Sequence, residues 1–170
     1  MWVQFDSQGE TGTYFTLYSV ENRDKPINKR IIVQAQNNGV LLNLFDDLDQ
    51  LFVQFPSHND NVQPITDGQW HHLALTWDGS TGEVVVTLDS IIDRRSSYGQ
   101  GNSLPQYGYV TLGSYKSSEG RTRTESGFHG KLNKVQVWNR VLSEEREIPN
   151  QVRSYGGEIC KNAPILFDGL

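Results

Sequence analysis

Residues 67–89, DGQWHHLALTWDGSTGEVVVTLD, constrain this chain more than any other stretch. Trp70, His72, Ala74 and Thr76 alternate with His71, Leu73, Leu75 and Trp77, and both sets contain apolar members. A period of two with apolar residues in both sets describes a strand covered on one face and partly on the other. Asp78-Gly79 and Gly82 then punctuate a turn, since Asp-Gly tolerates the positive φ that tight hairpins need. Val84, Val85, Val86 and Leu88 carry the return strand. His71 and His72 are neighbours on the first strand, so they point to opposite faces and cannot chelate one metal together. One is expected in the core or hydrogen-bonded, the other at the surface.

The same pattern recurs along the chain. Strand-like segments cover residues 2–6, 13–20, 29–36, 40–45, 50–55, 106–112 and 128–138. Asn37-Asn38-Gly39 is a hairpin signal between two of them. Residues 91–104 are rich in Ser, Gly and Arg and read as irregular, and residues 114–126 read as one polar loop long enough for recognition. Ser143 is a good N-cap with acidic residues behind it, although Ser-x-x-Arg is not a full capping box, and the short helix it predicts is ended by Pro149. About nine short strands with glycine turns and one late helix describe an all-β chain, an antiparallel β-sandwich or jelly roll. The 16 Gly, the 11% aromatic content and the single Met agree with sheets and turns. At 170 residues the chain fits one domain over 1–170. Met1 leads straight into a strand pattern and residues 164–170 look like the start of another, so a domain truncated at both ends is expected.

Several segments together resemble the pentraxin and laminin G-like group of concanavalin A-like jelly rolls. They are Trp70-His71 opening a central strand, Leu112-Gly113 closing a later one, Phe128 and Gly130 before a strand that ends at Trp138, and Val141-Leu142-Ser143 at a helix start. The ordered set covers residues 2–148, most of the chain. The resemblance implies an extracellular module of a larger mosaic protein, such as a receptor ectodomain or adhesion protein, with Cys160 in a structural disulfide. That setting suits a lone Cys in a loop better than catalysis does. The resemblance also implies a calcium-binding face, with Asn37 and Asn38 at its first position and Ser114, Tyr115 and Lys116 at its second. Calcium takes several oxygen ligands, usually including carboxylates. Asn37 offers a neutral oxygen and Lys116 a cation, so this calcium site is expected to be lost or badly weakened. Asp47 and Asp60, in loops that laminin G-like modules use at their rim, are the remaining metal candidates; solvated polar turns are the simpler reading of both.

Chemistry that would make an enzyme is not legible. No strand carries the alternating carboxylates of a glycoside hydrolase, and there is no Gly-x-Ser-x-Gly, phosphate loop or Asn-x-Ser/Thr sequon. No apolar run approaches the length of a membrane span. The net charge of −5 discourages nucleic acid. That charge is uneven: residues 1–85 carry four Lys/Arg against eleven acids, and residues 86–170 carry eleven against nine. The bland reading is a solvated surface. The sharper one is a basic patch from Arg121, Arg123, Lys131, Lys134 and Arg140 that meets an acidic glycan or acidic protein. Tyr107, Tyr109 and Tyr115 are a candidate stacking platform for sugars, against the simpler reading of cross-strand packing. The expected function is a non-catalytic recognition or adhesion module with a protein or glycan ligand. Its candidate contacts are Tyr115, Lys116, Arg121, Arg123 and Glu125. The alternatives are a lectin or glycan-active enzyme on the same fold, and a structural spacer between neighbouring modules.

Overall fold

The structure is a computed structural model that describes residues 1–5, 12–19, 30–36, 39–44, 50–54, 65, 67–103, 108–113, 115–116, 122–123 and 129–156. In chain order the strands are β1 (Trp2–Phe5), β2 (Gly12–Ser19), β3 (Arg30–Gln36), β4 (Gly39–Leu44), β5 (Gln50–Gln54) and β6 (His71–Trp77). They continue with β7 (Glu83–Leu88), β8 (Ile91–Ser97), β9 (Gly108–Leu112), β10 (Tyr115–Lys116), β11 (Thr122–Arg123) and β12 (Gly130–Asn133), before the helix α1 (Glu147–Gly156).

Two five-stranded antiparallel sheets result, ordered β12-β1-β6-β7-β8 and β5-β4-β3-β2-β9, with β10-β11 as a separate two-stranded ribbon. This is the sandwich that the alternating pattern predicts. Register explains the core. Val3 pairs with His71, Leu73 with Leu88, Leu75 with Val86 and Trp77 with Val84, so these residues share one face of the first sheet. Val3, Phe5, Leu73, Val84, Val86 and Leu88 are buried there together with Ile31, Val33 and Val40 from the second sheet. Burying each aliphatic side chain contributes about 1.5–3 kcal/mol. β3 and β4 pair outward from Gln36 and Gly39, which leaves a two-residue connection where the Asn-Asn-Gly signal predicts a hairpin. Asn37 and Asn38 themselves lie outside the described residues.

Three local expectations are corrected. The stretch read as irregular from residue 91 opens with the strand β8. Its turn carries no glycine: Asp89 and Ser90 adopt φ of 52° and 71°, the two positive values of a tight primed turn. Asp89 is held there because its Oδ1 accepts the backbone N–H of His72 at 2.7 Å and its own N–H donates to the His72 carbonyl. The strand signal is further blurred by a register shift between Val86 and Thr87, which leaves Asp93 bulged out between Ile92 and Arg94. The supposed single loop over residues 114–126 contains the β10–β11 ribbon. Finally, Pro149 does not end the helix. It sits in the first turn of α1, where backbone N–H groups have no intrahelical acceptor, so its missing donor costs little.

The other face of the first sheet is covered as well. Trp2 pairs with His72 and Ala74 with Thr87, so Trp2, His72, Thr76, Val85 and Thr87 point away from the inter-sheet core, yet all are buried. Gln151 of α1 hydrogen-bonds His72, which places the C-terminal segment over this face, and Val135, Leu142 and Ile148 of that segment are buried too. This layer overturns the expectation that one of the two adjacent histidines is at the surface: His71 is 4% and His72 is 2% exposed.

Candidate functional site

The candidate contact surface begins where β9 ends. Gly113 has φ of 71°, a left-handed turn that glycine adopts without a steric cost, and it redirects the chain from the edge of the second sheet into β10. In the ribbon, Tyr115 is the register partner of Arg123 and Lys116 that of Thr122. Three of the five residues expected to contact a ligand are therefore brought to two adjacent register positions, although they are seven and eight residues apart in sequence. Arg121 and Glu125 lie outside the described residues, as do Ser114, Asp47, Asp60, Tyr107 and Cys160. Tyr109 lies in β9, opposite Tyr18 of β2.

The rest of the anticipated basic patch does not gather at this ribbon. Lys131 is on β12, at the edge of the other sheet, where its Nζ donates to Gln4 Oε1 at 3.3 Å. Lys134 follows in a left-handed conformation, with φ of 48°. Arg140 is committed elsewhere. Its two terminal nitrogens donate to the two carboxylate oxygens of Glu147 at 2.9 and 2.6 Å, and its guanidinium lies 5.5 Å from the centre of the Trp138 ring. The same Glu147 carboxylate accepts the Ser143 N–H at 2.8 Å, the return half of a capping box that the sequence places one residue later than usual. Arg140 holds the Glu147 carboxyl well down, at about 2, with help from that backbone bond.

One polar constellation among the described residues was not singled out by the sequence. His71 stands between two carboxylates, with Nδ1 2.7 Å from Asp89 Oδ2 and Nε2 2.9 Å from Asp67 Oδ1. Carboxylates are acceptors only, so a ring that satisfies both contacts must carry a proton on each nitrogen. Burial opposes that charge, and the bonds to Asp89 and Asp67 outweigh it, raising the His71 pKa above its usual value. Asp67 Oδ1 also accepts the Gln69 N–H at 2.7 Å. The cluster ties the segment before β6, β6 itself and the β7–β8 turn into one unit. The available signal was the acid four residues before His71 and the unusual Asp-Ser turn.

This unit is structural chemistry. Both nitrogens of His71 and an oxygen of each carboxylate are already engaged, and the ring separates the two acids. Among the described residues no three His, Cys, Asp or Glu side chains converge as metal ligands. His72 takes the opposite environment. Burial drives its pKa down to about 3, so it stays neutral.

Residues 1–146 match the laminin G family model described as the concanavalin A-like lectin/glucanases superfamily. C-reactive protein 1.4 of Limulus polyphemus is 26% identical over 148 residues, which cover 85% of this chain and 57% of that protein. A rat protein with sushi, von Willebrand factor type A, EGF and pentraxin domains is 33% identical over 107 residues, 61% of this chain and 3% of that one. The chain thus spans little more than half of the first relative and a small part of the second. A heptameric SAP-like pentraxin from Limulus polyphemus superposes with a TM-score of 0.63 at 18% identity, over 87% of this chain and 65% of that one. The CBM40 domain of a Ruminococcus gnavus sialidase, bound to sialyllactose, gives 0.61 at 14% identity, over 86% and 77%. At such identities the two structures speak for the fold alone. The chain belongs to the concanavalin A-like lectin/glucanase superfamily, as a laminin G-like domain with pentraxin relatives.

Proposed function

We propose that this domain is a non-catalytic extracellular recognition module that binds an acidic glycan, such as heparan sulfate, or an acidic protein at one rim of the sandwich. The observation that carries this reading is the register of the ribbon, which sets Tyr115 against Arg123 and Lys116 against Thr122 beside the edge strand β9. Cationic and aromatic residues on a short ribbon mounted on a rigid sheet are suited to sulfated or carboxylated sugars. Arg matches such groups with two parallel hydrogen bonds, and the ring offers an apolar face. The pentraxin relatives favour a binding role over catalysis. An extracellular location agrees with those relatives, and no helix among the described residues is long and apolar enough to cross a membrane.

Calcium does not fit the residues that follow Gly113. The donor set there is Ser114, Tyr115, Lys116 and Ser117, with no carboxylate and with an ammonium that repels a divalent cation. Recognition is therefore read as calcium-independent, through fixed positive charge. On a heparin column the double variant Arg121→Ala/Arg123→Ala elutes at clearly lower salt than the parent domain, since each lost cation removes a screened ionic contact. Equal elution positions sink the assignment of this ribbon.

A further inference from the structure

Among the described residues three large hydrophobic side chains are exposed, Ile91 at 37%, Ile92 at 44% and Val141 at 45%. Two of them are neighbours at the start of β8, which ends the order of the first sheet and bonds to β7 on one side only. The other side of such a strand is a row of backbone donors and acceptors open to a further strand. Folded proteins usually blunt an edge of this kind with charge, proline or a bulge. The bulge at Asp93 does so at one position, but Ile91 and Ile92 before it are apolar and exposed.

Register gives this edge a simple code. Ile92 and Arg95 stand opposite Thr87 and Val85, successive positions on one face of β7. Ile91 and Arg94 stand opposite Leu88 and Val86, successive positions on the other. The bulge takes Asp93 out of the ladder. An isoleucine pair is therefore followed along the edge by an arginine pair. A strand added in antiparallel order meets the arginines first and the isoleucines next. Apolar residues beside the isoleucines bury exposed surface, and carboxylates beside the arginines complement their charge.

A second copy of β8 does not meet this code. Antiparallel registers that set Asp93 against Arg94 or Arg95 set Ile92 against Arg95 or Ser96. The strand also carries two arginines against one acid.

We propose that β8 is a docking edge for an extended acidic segment of a partner protein, which adds to the outer side of the first sheet. The segment carries two acids and, one residue on, two apolar residues. Main-chain bonds along β8 hold it, and the isoleucine and arginine pairs select it. This edge is separate from the β10–β11 ribbon, and the proposal does not rest on the ligand of that ribbon.

The test uses a fluorescein-labelled synthetic peptide, Ser-Glu-Glu-Ser-Val-Val-Ser, titrated with the domain and followed by anisotropy. Saturable binding is expected, weakening as salt rises. It is expected to fall about tenfold in Arg94→Glu/Arg95→Glu, since two screened attractions become repulsions. Arg94→Lys/Arg95→Lys keeps the charge and is expected to keep binding, which separates loss of charge from loss of fold. Amide exchange in β8 is expected to slow in the complex. No saturable binding, equal affinity in the Glu variant, or equal affinity for a peptide with Lys in place of both Glu overturns the proposal. Sedimentation that shows a dimer of the domain, dissociated by the Glu variant, overturns it in favour of a second copy. Heparin retention that depends on these arginines, with no peptide bound, overturns it in favour of a glycan.

Discussion

Replacing Asp89 by Asn probes the least obvious polar unit of this sandwich. The variant keeps an oxygen for the His72 N–H and the shape of the turn, but it removes the negative charge 2.7 Å from His71 Nδ1. A hydrogen bond between charged groups contributes about 1.5–3 kcal/mol when shielded. The Asp89 side chain is 40% exposed, so solvent screening reduces the expected cost to about 1–2 kcal/mol. The pH dependence is the sharper readout. The folded-state pKa of His71 is raised above 6.5, so its contribution is fully present below the unfolded value and is lost as pH rises through the folded value. Between those two values the native state holds the extra proton, and stability falls with a limiting slope of about 1.4 kcal/mol per pH unit. Urea unfolding from pH 5.5 upward should show this decline in the parent domain, starting near pH 6.5. In the Asp89→Asn variant the decline should be shallower and end at lower pH, with Asp67 as the remaining carboxylate partner. A flat parent profile through this range, or superimposable profiles for the two proteins, refutes a doubly protonated His71.

Two further predictions concern the scaffold. A Cβ on Gly79 would lie 2.5 Å from the Asn102 carbonyl oxygen and 3.0 Å from the Trp77 indole, so Gly79→Ala should cost about 1–3 kcal/mol, read as a lower urea midpoint at unchanged m-value. Glu147 has its pKa depressed to about 2, so its contribution is present above its usual value of 4.5 and is lost as pH falls from there towards 2. Glu147→Gln should abolish that acid-side loss and speed amide exchange at Ser143. Unchanged exchange at Ser143 would show that the carboxylate does not cap this end of α1.

The sandwich was legible because its strands obey a simple rule. In β6 and β7 the alternation puts Leu73, Leu75, Val84, Val86 and Leu88 on one face, and no tertiary information is needed to see it. The strand β8 was not legible, because a bulge at Asp93 breaks the period and its turn uses Asp89 and Ser90 in place of glycine. That turn is held by bonds to His71 and His72, residues 18 and 17 positions away, which local pattern cannot reveal. The second face was legible only in part: the alternation reads β6 as partly covered there, but the burial of His72, Thr76 and Thr87 needs the C-terminal segment, which local pattern does not place. Arg140 looked like a member of a free basic patch, whereas its partner Glu147 is seven residues along, beyond the turn-to-turn spacing that marks pairs within a helix. The ribbon residues were singled out from the sequence as candidate contacts, and their pairing depends on register that residues 114–126 do not advertise.

The central claim is recognition of an acidic ligand by fixed charge on the β10–β11 ribbon. Its most direct test is calorimetric titration of the domain with a heparan sulfate oligosaccharide, at two salt concentrations, with calcium and with a chelator. The account predicts binding that weakens with salt, is the same with calcium or chelator, and drops in Arg121→Ala/Arg123→Ala together with its salt dependence. Binding that requires calcium, or that is unchanged in the double variant, would contradict it.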